Sequence, residues 1–236
     1  MKTITFFFLC LCLIYPLYLF ITMSCPLCQS STVVDYASDK RRHYLQCDTC
    51  DLVFVDTAYL PTREQEKQEY ALHENSFQDE GYRKFLGKVL TPLSSYIDSA
   101  NGKPLSALDF GCGPAPVLAK MLTEKGVATK TYDPFFANTP DVLTQTYDIV
   151  TCTEAIEHFH QPHREWACFN QLVADNGVLA IMTKRVIDKA RFAQWHYKND
   201  PTHVSFFSES TFRYLAKRDG YTVTFPANDV TLLFKQ

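Results

Sequence analysis

Ser106-Ala-Leu-Asp-Phe-Gly-Cys-Gly-Pro-Ala-Pro-Val-Leu-Ala119 changes character twice along its length. Residues 107–110 form an apolar strand. Gly111 and Gly113 then turn the chain sharply, and Val117, Leu118, Met121 and Leu122 recur at helical spacing until Gly126 ends the run. A strand, a glycine turn and a helix N-terminus together make a cradle whose backbone N–H groups point at whatever lies above it. Glycine lets that backbone approach a ligand with no Cβ in the way. An ordinary βα turn would look the same from Gly-x-Gly alone, so the flanking residues must decide.

Downstream, residues 128–132 read as a second strand ending in Asp133-Pro134. Asp133 lies 22 residues beyond Gly111, where an acid at the tip of the second strand reaches a ribose hydroxyl pair. Tyr147-Asp-Ile-Val-Thr-Cys152 is a third apolar run and leads into Thr153-Glu-Ala-Ile-Glu-His158. Pro162 opens a helix with Trp166, Phe169, Leu172 and Val173 on one face. Asn176-Gly177 turns into a buried strand over 178–182. A helix over 211–217 stops at Gly220, and 221–225 and 230–235 make a terminal strand pair. Strands alternating with helices at this rhythm predict an α/β fold, a Rossmann-like doubly wound sheet with an antiparallel last strand.

Upstream, Cys25-Pro-Leu-Cys28 and Cys47-Asp-Thr-Cys50 are two knuckles separated by 18 residues. That spacing predicts a zinc-ribbon-like module over 23–57, with Cys25, Cys28, Cys47 and Cys50 as thiolate ligands of a structural Zn2+. Four thiolates leave no open position for water, and the ion replaces a core that about 30 residues cannot supply. Residues 31–36, 43–46 and 52–55 alternate like its strands. Nine cysteines, an odd number with paired knuckles, suit a reducing compartment and a metal better than disulfides.

Residues 58–103 form a helical connector. The polar run at 62–70 reads as a solvated helix, whereas Tyr82, Phe85, Leu86, Val89, Leu90 and Leu93 repeat at core spacing. Tyr70, His73, Asn75 and Tyr82 are placed either to cap a pocket or to pack. Residues 3–22 carry no charge and are long enough to span a bilayer. A transmembrane anchor, a signal peptide and a misassigned start upstream of Met23 compete here. No small-x-small site precedes Cys25, and the misassigned start is preferred to the anchor. Lys40, Arg41 and Arg42 beyond the segment place the rest of the chain in the cytoplasm in either case. The membrane is a partner only if residues 1–22 are retained. The net charge of −3 gives no global reason to expect nucleic acid.

With these residues assembled, the second half, 104–236, resembles the class I S-adenosylmethionine-dependent methyltransferases. Leu108-Asp-Phe-Gly-Cys-Gly-Pro-Ala115 is similar to that family's glycine-rich cofactor loop, residues 147–158 to its fourth strand and loop, and 176–182 to its fifth strand. Ala115 stands in place of a third glycine. The 14 residues between Asp133 and Asp148 imply a shortened second helix and third strand. The resemblance implies S-adenosyl-L-methionine as cofactor. It places Gly111, Cys112 and Gly113 against the methionine portion, Asp109 behind the loop, Asp133 on the ribose, and Thr153 and Glu154 toward the sulfonium. The module ahead of the domain also resembles sugar C-methyltransferases and some ribosomal RNA methyltransferases.

Trp195-His-Tyr-Lys-Asn-Asp-Pro-Thr-His-Val-Ser-Phe-Phe207 packs two histidines, a tyrosine and an aspartate at the ligand edge of the sheet. His203 is the first candidate for acid/base or acceptor contact, with His196, Tyr197 and Asp200 beside it and His158 as the second choice. The density of aromatics there points to a lined pocket and a small-molecule methyl acceptor. The alternatives are an RNA or protein methyltransferase that docks substrate through the zinc module, and an NAD-dependent oxidoreductase.

Overall fold

The computed structural model describes residues 23–72 and 76–236. The expectations for residues 1–22, His73 and Asn75 therefore lie outside the described residues. Among the described residues no helix is long and apolar enough to cross a membrane.

The chain opens with β1 (Val33–Ser38), β2 (His43–Cys47) and β3 (Val53–Val55), an antiparallel ribbon. Two helices follow, α1 (Arg63–Tyr70) and α2 (Glu80–Ser99). The first is started by a reciprocal cap between Thr62 and Gln65, the second by the Asp79 carboxylate, which accepts from the Tyr82 N–H. Next come β4 (Ser106–Phe110), α3 (Val117–Glu124), β5 (Ala128–Tyr132), β6 (Tyr147–Thr153), α4 (Pro162–Leu172), β7 (Val173–Met182), α5 (Lys189–Ala193), β8 (Ser205–Phe206), α6 (Glu209–Asp219), β9 (Tyr221–Ala227) and β10 (Val230–Lys235).

The main sheet has the order β5-β4-β6-β7-β10-β9. Its first four strands are parallel, and β10 runs antiparallel to both β7 and β9. That is the expected doubly wound α/β sheet with a reversed end. Each face has its own core. On one, Leu86, Val89, Leu90 and Leu93 of α2 and Val117, Leu118, Met121 and Leu122 of α3 cover β4, β6 and β7. On the other, Trp166 and Phe169 of α4 and Phe212 and Leu215 of α6 share one cluster with the ribbon residues Cys25, Leu27, Leu52 and Phe54. Between β5 and β6 lies only a 3-10 turn, Pro140–Thr144, which is the shortening the sequence implied.

Two details differ from expectation. β7 begins at Val173 and not at 178, because Asn176 takes a left-handed φ of 60° and carries the strand through the Asn-Gly pair without ending it. The ribbon also has a fourth strand. β8 pairs antiparallel with β3, Val53 opposite Phe206 and Phe54 opposite Ser205, so the segment rich in candidate residues is stitched to the N-terminal module.

Arg42 secures that junction. It is buried, and its guanidinium donates to the backbone carbonyls of Lys198, Asp200, Pro201 and His203. Lys198, also buried, reaches Asp39 Oδ2 at 2.6 Å. The basic run Lys40–Arg42 is thus partly spent inside the protein. Arg42→Ala would strip four carbonyls of their donor. It is expected to lower unfolding free energy by about 3 kcal/mol in denaturant melts; a change below about 1 kcal/mol would show that water replaces the guanidinium.

Candidate active site

The cofactor side grows from the C-terminal end of β4. Gly111 has φ +75° and Gly113 φ +65°, and a Cβ on Gly111 would sit 2.7 Å from Ala155 Cβ. Only glycine satisfies both the dihedral and that contact. The turn opens into a cavity of about 810 Å³, within the usual range for a cofactor or small-molecule site. A cradle that a side chain would fill, beside a cavity of this size, fits S-adenosylmethionine.

Asp133, at the tip of β5, is buried and turned toward the turn. Its Oδ2 accepts from the Gly113 N–H at 3.0 Å, and its Oδ1 from Phe135 N–H at 2.8 Å and Phe136 N–H at 3.1 Å. Oδ2 keeps a lone pair for a hydroxyl. Asp109 lies beneath, its Oδ1 accepting from the Thr151 hydroxyl at 2.7 Å. Burial pushes the Asp109 carboxyl up to about 6 from an ordinary 3.8. The folded protein then holds a proton that the unfolded chain has released, so stability is lost as pH rises through that interval. Asp109→Asn keeps an acceptor for Thr151 without the charge. It is expected to exceed the parent in stability by about 2 kcal/mol above pH ~7 and to show no gain below pH ~4. Equal stability at both ends of the pH range would contradict this.

Cys112 lines the cavity, and burial pushes its thiol up to about 12, which disfavours the thiolate. Thr153 and Glu154 face the cavity from the end of β6. Burial, then the nearby Glu157 carboxylate, pushes Glu154 up to about 8.

The opposite wall joins two loops. The Val204 N–H donates to Glu157 O at 2.8 Å, and the Ser205 hydroxyl to Phe159 O at 2.8 Å. His158 Nδ1 lies 3.1 Å from Thr202 O and His203 Nδ1 2.7 Å from Tyr197 O. A carbonyl can only accept, so each Nδ1 carries a proton and, in the neutral ring, Nε2 is the atom with the lone pair. Burial lowers the His203 pKa, keeping that ring neutral. His203 is therefore brought to the cavity beside His158, with ring centroids 4.7 Å apart. Tyr197 is buried, and its hydroxyl donates to Glu157 Oε1 at 2.5 Å; burial and that carboxylate push the phenol well above its ordinary range. Its hydroxyl is thus turned to Glu157. His196 is exposed at the rim, its Nε2 3.4 Å from Lys184 Nζ.

Three contributors escaped the sequence reading. Glu157 is fully buried in the cavity floor; its spacing of three from Glu154, beside a histidine, was the available signal. Lys184, two residues past the end of β7, lines the cavity. The polar helix α1 is not solvated all round, because Tyr70 packs edge-on against His158 and Phe135 and Glu66 Oε1 meets His160 Nε2 at 2.9 Å. Tyr70 and Tyr82 both line the cavity.

In the ribbon, Cys25 and Cys50 Sγ lie 3.5 Å apart and Cys28 and Cys47 Sγ 3.4 Å apart, all four within 4.8 Å of one another. Tetrahedral zinc with bonds of about 2.3 Å sets sulfurs about 3.8 Å apart, so the four thiols fit the ion. The knuckles match each other. The Gln29 N–H donates to Cys25 O and the Asp51 N–H to Cys47 O, and Gln29 and Asp51 both take left-handed φ.

A family model described as a methyltransferase domain matches residues 78–224. No curated protein sequence matches the chain. Among solved structures, magnesium protoporphyrin IX methyltransferase from Synechocystis, with bound S-adenosylmethionine, is similar at 11% identity over 76% of this chain and 94% of that one, with a TM-score of 0.47. The 1,6-didemethyltoxoflavin-N1-methyltransferase of Burkholderia thailandensis, solved with bound 1,6-didemethyltoxoflavin and S-adenosylhomocysteine, is similar at 15% identity over 86% of this chain and 99% of that one, with a TM-score of 0.47.

Proposed function

Because the chain belongs to the methyltransferase-domain family, whose model spans residues 78–224, and is an S-adenosylmethionine-dependent methyltransferase, we propose that it methylates a small molecule seated between the glycine turn and the His158–His203 wall. The observation that carries this is the single cavity lined by Gly111, Gly113 and Asp133 on one side and by Glu157, His158 and His203 on the other. Gly111 and Gly113 would hold the methionine portion through backbone N–H groups, Asp133 the ribose, and Asp109 would brace the loop from below. When bound, S-adenosylmethionine supplies an electrophilic methyl on a sulfonium whose leaving group is a neutral thioether. Thr153 and Glu154 border the acceptor's approach. Alignment of the two reactants in one cavity supplies most of the rate for such a displacement. His158 and His203 line the acceptor side, where they orient its nucleophile, and Tyr70 and Tyr82 roof the cavity.

The aromatic-lined cavity favours a small acceptor over a nucleic acid, and Arg42 is withdrawn from the surface. We assign residues 23–57 to a structural zinc ribbon, 58–103 to a connector and lid, and 104–236 to the catalytic domain. We place the chain in a reducing, cytoplasmic setting, because an odd number of cysteines with paired Cys-x-x-Cys knuckles suits a metal better than disulfides. Calorimetric titration tests the cofactor assignment: S-adenosylmethionine should bind one per chain and NADH should not. Mass spectrometry of a metabolite mixture incubated with cofactor should reveal a product heavier by one methyl. Methylation confined to RNA or protein would overturn the acceptor class.

A further inference from the structure

The wall facing the glycine turn holds an arrangement that methyl transfer alone does not require. One ligand atom each of Glu157, His158 and His203 lies within 4.8 Å of the other two. Glu157 is fully buried, yet its Oε2 has no hydrogen-bond partner, while Oε1 is committed to the Tyr197 hydroxyl. An unpartnered carboxylate oxygen in such a place is costly unless something cationic meets it. Both imidazoles have Nδ1 fixed on a backbone carbonyl, which is how proteins orient a histidine whose Nε2 ligates a metal. Asp200 Oδ2, 3.8 Å from His203 Nε2, adds negative charge at the rim.

We infer that Glu157, His158 and His203 hold a divalent first-row cation, with Tyr197 orienting the carboxylate and the remaining coordination positions open to the cavity. Two imidazoles and one carboxylate select a transition cation or zinc over magnesium or calcium. Three protein ligands leave room for a further one, as in catalytic rather than structural sites. An acceptor bearing an oxygen would take that position, so that His158 and His203 act on it through the ion. This role in catalysis rests on the methyl-transfer reading, but the binding of the ion does not.

Cobalt(II) added to the full-length, zinc-loaded protein is the probe. Wild type should take up one equivalent with weak visible bands and no added thiolate-to-cobalt charge transfer, since the sulfur site already holds zinc. Glu157→Gln and His158→Ala should each weaken that binding at least about 10-fold. Retained S-adenosylhomocysteine binding would show that both variants keep their fold, and His158→Ala, a half-buried wall position, serves if Glu157→Gln does not fold. Wild type with no such second equivalent, or a second equivalent untouched in His158→Ala, would overturn the inference. A protein that binds cobalt this way but no S-adenosylmethionine would sink the proposed function and leave the cation site standing.

Discussion

Asp133→Ala should weaken S-adenosylmethionine binding by at least about 30-fold, read by titration calorimetry. The carboxylate accepts three backbone N–H groups, those of Gly113, Phe135 and Phe136. It ties the glycine turn to the loop after β5 and keeps a lone pair for a ribose hydroxyl. A hydrogen bond to a charged group is worth about 1.5–3 kcal/mol, which is roughly a 10- to 150-fold effect for the ribose contact alone. The loosened turn adds to that. Asp133→Asn retains an acceptor for Phe135 and Phe136 without the charge, so it should fall between parent and alanine. Unchanged affinity in the alanine variant would mean that the cofactor does not touch this end of β5.

Removing the paired thiols should disable the enzyme without touching its cofactor side. In a Cys25→Ser, Cys28→Ser double variant the four-thiolate site is lost, and with it the largest stabilising contribution available to a module of this size. The damage should travel along a defined route. β3 pairs with β8, and Arg42 gathers the carbonyls of 198–203, so a loosened ribbon frees the segment that carries Tyr197 and His203. Hydrogen exchange should rise across residues 197–206, and methyl transfer should drop by more than about 10-fold, because a misplaced wall forfeits alignment. S-adenosylmethionine affinity should stay within about 3-fold, since no ribbon strand pairs with β4 or β5, which carry the glycine turn and Asp133. Full activity in the double variant would show that the ribbon is a detached module.

The parts of this molecule that could be read from the sequence are those whose physics is local. The glycine turn, the buried runs of β4, β6 and β7, the cysteine knuckles and the Gly220 cap each rest on a few adjacent residues. Their dihedral or periodic requirements leave little choice. What could not be read depends on pairings across long separations. β8 is two residues long and gains its strand character only from β3, some 150 positions earlier. Arg42 looks like a surface charge until its four carbonyl partners from 198–203 are in place. Glu157 reads as one more acid in a polar loop, and only burial against Tyr197 gives it significance. In α1, composition conceals the inner face, because seven polar residues outweigh the Tyr70 and Glu66 contacts that meet the site. The shortened link between β5 and β6 was visible from spacing, since 14 residues cannot hold a helix, a strand and two turns.

The most direct test is a crystal structure of the chain with S-adenosylhomocysteine. The account predicts ligand density over Gly111 and Gly113, a ribose hydroxyl within hydrogen-bond distance of Asp133, and the sulfur facing the wall of Glu157, His158 and His203. Density in another part of the cavity, or a ligand bound with its ribose away from Asp133, would contradict it.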